Sequence, residues 1–244
     1  MTARRQTIPA LPPAAEACAL LCVPVAMLAL PLAGVESTAG PMLLACVLAL
    51  ALGLAGFERS RPVLRQLMPT AVLAAVAAAG RVLFAPVPDV KPVSAVAILA
   101  GAVLGRRSGF VVGALAALAS NFFFGQGAWT PWQMYAWGMV GYVGGMVGDG
   151  GRCEGRTPAL RAWALLSGLF YGLVLNGYYV LGYVRPLTWP AVLAAFGAGL
   201  PLDVVHGVAT LAFFCVVWGP WRRAILRVVA RYGLDGADGA GTSA

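Results

Sequence analysis

Long runs without charge alternate along this chain with short clusters that carry almost all of it. The apolar stretches cover residues 17–33, 41–57, 67–84, 92–105, 109–124, 132–147, 162–183 and 194–218. Charge segregated in this way is the mark of a chain that crosses a membrane repeatedly. A spanning helix needs roughly twenty residues, within a usual range of about 17–25. Most of the stretches meet that, and 92–105 does not. The pattern predicts an all-α integral membrane protein of about eight transmembrane helices, provided the short fourth stretch crosses.

The arginines decide that point. With Arg4 and Arg5 in the cytoplasm, the loop with Glu36 lies outside and Arg59, Arg61 and Arg65 lie inside. If the fourth stretch crosses, Arg106, Arg107, Arg152, Arg156 and Arg161 also fall inside, with Arg222, Arg223, Arg227 and Arg231. Only Arg81, Lys91 and Arg185 remain on the outer side. Without that crossing, Arg152 to Arg161 and the whole tail would face outside, against the positive-inside rule. Eight crossings with both termini cytoplasmic, in the cell membrane, is therefore the expectation. The proline-rich segment 86–92 then makes up for the short helix. Irregular backbone at membrane depth is tolerated where protein buries it or it lines a cavity, so that segment is a first pointer to a pocket.

Composition agrees: 60% of the residues are hydrophobic and 11% charged, against about 25% charged in a soluble domain. Soluble-enzyme and nucleic-acid readings fall away. The net charge of +8 is explained by where the arginines lie. Pro24 and Pro31 interrupt the first stretch, and a second follows at once, which favours a span over a cleaved signal peptide. Five cysteines (Cys18, Cys22, Cys46, Cys153, Cys215) imply neither a disulfide framework nor a metal site.

The chain holds no G-x-x-x-x-G-K-[ST] phosphate loop, no G-x-S-x-G, no H-E-x-x-H and no C-x-x-C. It cannot drive ATP hydrolysis alone, and no cofactor is expected. In the third stretch Ala71, Ala75 and Ala79, with Ala74 and Ala78 beside them, give a smooth face for another helix. The pairs Gly101/Gly105, Gly109/Gly113, Gly141/Gly145 and Gly144/Gly148 say only that helices pack tightly. The stretch 120–138 carries more. Asn121, Gln126, Thr130 and Gln133 sit among Trp129, Trp132 and Trp137 without a single charge. Interfacial tryptophans often just anchor helix ends, but neutral donors and acceptors beside flat rings suit a large, planar, polar ligand. Asn176, near Tyr171, Tyr178, Tyr179 and Tyr183, makes the outer half of the seventh span polar. Asp203 and His206 share one face of the last span, each the expected partner of the other. They serve either a function or a structural hydrogen bond. Arg81 is a ligand contact or a snorkelling side chain.

From residue 65 to about 227 the chain resembles the substrate-binding S component of an energy-coupling factor (ECF) vitamin transporter. The resemblance is carried by Arg81-Val82 closing the alanine-striped helix, then Pro86-Val87-Pro88-Asp89-Val90-Lys91-Pro92-Val93. Gly105-Arg106-Arg107-Ser108-Gly109-Phe110, Pro131-Trp132-Gln133-Met134 and Leu202-Asp203-Val204-Val205-His206-Gly207 follow in order. Thr210 departs from the pattern, where an Asn is expected. The resemblance implies a six-helix core at 65–231, preceded by a transmembrane hairpin at 1–64 and followed by a disordered cytoplasmic tail at 232–244. It implies a pocket near the outer face, closed by 86–92, 125–131 and 185–190. Arg81, Lys91, Asn121, Gln126, Trp129, Trp132, Gln133, Asn176, Tyr179, Asp203 and His206 are the candidate substrate contacts. Ala71, Ala75 and Ala79 would meet a transmembrane coupling subunit powered by two ATPase subunits. The Trp-rich loop is similar to that of cobalamin-type S components; a flavin, another vitamin or a modified nucleobase stays open. A membrane enzyme using Asp203 and His206, or a structural membrane protein, are the competing readings.

Overall fold

The computed structural model describes residues 12–32, 39–59, 64–148 and 155–231. Glu36, Arg4, Arg5, Arg61, Arg152, Cys153 and the 232–244 tail lie outside the described residues. Among those described, the chain is all helix: α1 (Pro13–Leu32), α2 (Ala39–Arg59), α3 (Leu64–Leu83), α4 (Val93–Leu104), α5 (Arg106–Phe124), α6 (Thr130–Val147), α7 (Thr157–Tyr183) and α8 (Trp189–Arg231). α2, α5, α7 and α8 are long and apolar enough to cross a membrane. α1, α3 and α4 carry shorter apolar stretches.

The short fourth helix turns out to be the centre of the bundle. α4 has 12 residues, and every one from Val93 to Val103 is buried, against α3, α5, α6, α7 and α8. It needs no lipid-facing stripe, which is why its sequence is apolar all round. Gly105 joins it directly to α5 at φ +98, a conformation that a side chain would oppose. Its N–H also closes the last turn on Gly101 O at 2.9 Å.

Glycines set how near α4, α5 and α6 approach. A Cβ on Gly101 would overlap the Gly141 carbonyl oxygen, and one on Gly141 would overlap the Gly109 backbone. The three backbones therefore touch, and the glycine pairs of the sequence lie on that contact except for Gly105, which has open space beside it. α7 and α8 meet the same way, with Gly168 against the Asp203 carbonyl and Gly172 under the Asp203 carboxylate.

The first two helices dock firmly. Leu20, Val23 and Met27 of α1 and Met42 and Cys46 of α2 share an apolar cluster with Trp132, Tyr135, Met139 and Tyr142 of α6. Arg107 on α5 forms a 2.5 Å ion pair with Glu16 on α1. The Tyr135 hydroxyl donates to Leu20 O at 2.5 Å.

α8 is longer than its apolar stretch. Its 43 residues extend about 64 Å at 1.5 Å per residue, roughly twice the ~30 Å of a hydrocarbon core. The helix runs past Trp218, through Pro220, and carries Arg222, Arg223, Arg227 and Arg231. At the other, arginine-poor end of the bundle the segments 84–92, 125–129 and 184–188 gather. Arg81 of α3 meets the end of α5 there, and Trp132 of α6 lies 5.8 Å from the Tyr178 ring of α7.

Candidate functional site

Arg81 lies in the last turn of α3 and is only 9% exposed. Its Nη1 donates to Ser120 Oγ and to Asn121 Oδ1, both at 2.6 Å. Ser120 turns its own proton back onto Ala116 O at 2.7 Å, leaving its lone pairs to the guanidinium. Asn121 passes the chain on, its Nδ2 donating to Gln133 Oε1 at 2.9 Å and Thr130 Oγ1 at 3.1 Å. Thr130 donates to Gln126 Oε1 at 2.9 Å, and Gln126 Nε2 reaches Leu118 O at 3.1 Å. These neutral groups fix the 125–129 turn from within.

Flat groups stack beside that network. The Arg81 Cζ lies 4.6 Å from the centre of the Phe124 ring and 4.8 Å from that of Trp137. Trp137 is 4.7 Å from Tyr171, and Tyr171 is 4.8 Å from His206. One ladder of π faces thus joins α5, α3, α6, α7 and α8. Arg81 ties the ladder to the amide network, donating to Asn121 while its Cζ lies beside Trp137. Trp137 Nε1 donates to Ser94 Oγ at 3.1 Å, and Ser94 Oγ lies 2.8 Å from His206 Nε2.

The 84–92 segment covers this cluster. His206 Nδ1 is 4.0 Å from Asp89 Oδ1, and Asp89 sits at φ +53, a backbone state that aspartate tolerates better than most residues. Burial pushes the Asp89 carboxyl above its ordinary pKa, and Lys91 pulls it back. Burial lowers the Lys91 ammonium, opposed by Asp89. Lys91 Nζ donates to Phe84 O at 2.5 Å, Val87 O at 2.6 Å and Ala85 O at 3.3 Å. It ties the segment to the end of α3.

The structure brings Arg81, Asn121, Gln126, Gln133 and His206 into one connected network, with Lys91 bracing its cover. Asp203 and His206 do not partner each other as their spacing predicts. Asp203 accepts from Asn176 Nδ2 at 3.0 Å, whereas His206 turns to Ser94 and Asp89. Both face the interior, but neighbouring helices offer each a nearer partner. Three further candidates lie elsewhere. Trp132 is buried in the apolar cluster with α1 and α2. Trp129 is 40% exposed on the turn, and Tyr179 is exposed and stacked on Tyr183. Thr210, one turn beyond His206, is fully buried, with its hydroxyl unpaired among the described residues. Ala71, Ala75 and Ala79 line the open face of α3, while Ala74 and Ala78 turn inward.

Ser94 and Phe124 were not singled out from sequence, and Trp137 and Tyr171, noted there only as aromatic company, were not among the candidate contacts. Trp137 stands four residues after Gln133, on the same helix face, a spacing that aligns it with that amide. Two cavities lie apart from the ladder. One of about 380 Å³ is wholly apolar, between Met68, Val72, Leu73, Ala224, Ile225 and Val228. Another of about 100 Å³ lies between α1, α7 and the start of α8. What marks the ladder is its chemistry, and its Phe124 end is exposed.

A family model for the ECF-type riboflavin transporter S component matches residues 63–210. The chain belongs to that family. The match on this S component runs from α3 into α8 and takes in every residue of the ladder from Arg81 to His206; α1 and α2 lie before it. No curated protein and no solved structure matches the chain. The family places this S component in a transporter as its substrate-binding subunit, a multi-pass membrane protein in a transporter family, not an enzyme family. Its description names riboflavin and gives the cobalamin expectation no support.

Proposed function

We propose that this S component captures a flavin at the outer face of the cell membrane and delivers it inward with the help of partner subunits. The observation that carries the reading is the ladder of Arg81, Trp137, Tyr171 and His206 beside the uncharged amides of Asn121 and Gln133. A flat heteroaromatic ring with a polyhydroxy chain needs stacking faces and neutral donors and acceptors, and both kinds of group meet here. The family description supports a flavin over a corrin.

On this reading α3 to α8 form the binding core, and α1 and α2 are an added hairpin. The arginine-rich end, with both termini, faces the cytoplasm by the positive-inside rule. The 84–92 segment is the lid, since it covers this ladder. A transmembrane coupling subunit meets Ala71, Ala75 and Ala79, and two ATPase subunits supply the nucleotide chemistry that this chain lacks.

The test is titration of the detergent-purified protein with riboflavin, followed by tryptophan quenching, with cobalamin and thiamine as competitors. Saturable riboflavin binding, undisturbed by the competitors and weakened about tenfold in Asn121→Ala, is the expected result; one buried hydrogen bond is worth roughly that. Absence of flavin binding by the wild-type protein would overturn the reading.

A further inference from the structure

Arg81 is an ionised group more than nine-tenths buried, and its surroundings only half satisfy it. Both of its hydrogen bonds leave from Nη1. Among the described residues no acceptor meets Nε or Nη2, and no carboxylate stands within ion-pair distance of the guanidinium. Nε and Nη2 are not fully enclosed, so water meets this edge until a ligand replaces it. Two aromatic rings contribute, with Phe124 and Trp137 over the Cζ, but a ring face does not replace an in-plane hydrogen bond.

The remaining Nε–Nη2 edge is a planar fork of donors with no acceptor capacity. It cannot accept from a sugar hydroxyl, and it matches two adjacent acceptors lying in its own plane. Asn121 and Gln133, by contrast, offer both donors and acceptors and suit a polyhydroxy chain. Such an acceptor pair belongs either to a flat ring, as a carbonyl oxygen beside an unprotonated ring nitrogen, or to a phosphate. The aromatic neighbours favour the ring, because a ring held in the guanidinium plane shares the stacking surface of Trp137.

Resting on the flavin reading above, we propose that the Nε–Nη2 edge of Arg81 is the specificity element of the site, reading the acceptor edge of the ligand's ring. Arg81 then rejects flat rings that lack such an edge, since they would leave the fork buried and unpaired. Discrimination of this kind exceeds what stacking alone achieves.

The experiment compares wild-type protein with Arg81→Lys and Arg81→Gln, titrated with riboflavin, with flavin mononucleotide, and with a ribityl phenazine that lacks ring carbonyls. Thermal unfolding reports whether each variant is folded. Arg81→Gln is expected to lose about 10- to 100-fold in riboflavin affinity, the range for a hydrogen bond to a charged group. Arg81→Lys keeps the charge without the fork and is expected to lose about tenfold. Flavin mononucleotide should fall by the same factors, while the weakly bound phenazine stays indifferent to the substitutions. A loss confined to flavin mononucleotide would assign Arg81 to the phosphate and overturn the ring assignment. Unchanged riboflavin affinity in folded variants would also overturn it, with the flavin reading left standing. Wild-type protein that binds neither flavin would remove that reading and this one together. If neither variant folds, the wild-type preference decides, and equal affinity for riboflavin and the phenazine would sink the assignment.

Discussion

Asp89 shows how one residue ties a surface segment to the interior. Its carboxylate faces His206 across 4.0 Å and also feels Lys91, Tyr171 and Asp203. Partial burial raises its pKa above the ordinary 3.8. The folded segment therefore keeps a proton at pH values where the unfolded chain has lost it. The sign follows: the folded form is most favoured below pH 3.8 and loses stability as pH rises through the raised value. Asn also tolerates this backbone state and does not ionise. The melting temperature of Asp89→Asn, relative to wild type, should thus climb across the acid range and then level, by a small amount at this partly exposed, screened site. A difference that stays flat with pH would show that Asp89 is not held this way. Arg81, Asn121 and Gln133 were legible in the sequence because they are polar residues in apolar company. Ser94 was not, and the stacking of Trp137 on Tyr171 was not, because contacts between helices give them their place and no local pattern announces those contacts. Asp203 and His206 were readable as one face of α8, but not as looking to different partners, since Asn176 and Ser94 come from other helices.

Among elements, two small-residue surfaces separate cleanly. The glycines of α4, α5 and α6 face one another with backbone in contact, while Ala71, Ala75 and Ala79 face away from the bundle. The same chemistry should therefore answer differently to bulk. Gly141→Val is expected to cost roughly 3 kcal/mol, as overpacking of a tight core does, seen as a large drop in thermal stability. Ala75→Leu should leave stability and riboflavin binding near wild type while abolishing co-purification with the coupling subunit. Retained co-purification would remove α3 from that interface. Helix positions were readable from run length alone for most spans. The end of α8 was not, because its last turns are arginine-rich and Pro220 reads as a stop. Pro220 is accommodated in this helix, which continues to Arg231.

At the scale of the molecule, α1 and α2 are held by apolar packing and by the pair of Glu16, 3% exposed, with Arg107, 27% exposed. Which partner is removed should matter. Arg107→Ala leaves the buried Glu16 carboxylate with only the Tyr142 hydroxyl, at 3.4 Å, and is expected to cost about 3 kcal/mol, whereas Glu16→Gln leaves an arginine able to reach solvent and should cost about 1 kcal/mol. The double substitution should cost less than the two together. Equal, additive shifts in thermal unfolding would mean that the pair contributes nothing to docking. α4 bears on how such a bundle comes to exist. Twelve residues make a rod of about 18 Å, too short to partition into a bilayer ~30 Å thick on its own account. Its surroundings are protein on every side, so its residence at membrane depth is decided by α3, α5, α6 and α8, not by lipid. For this segment, insertion is a step of folding, completed only when its neighbours have arrived.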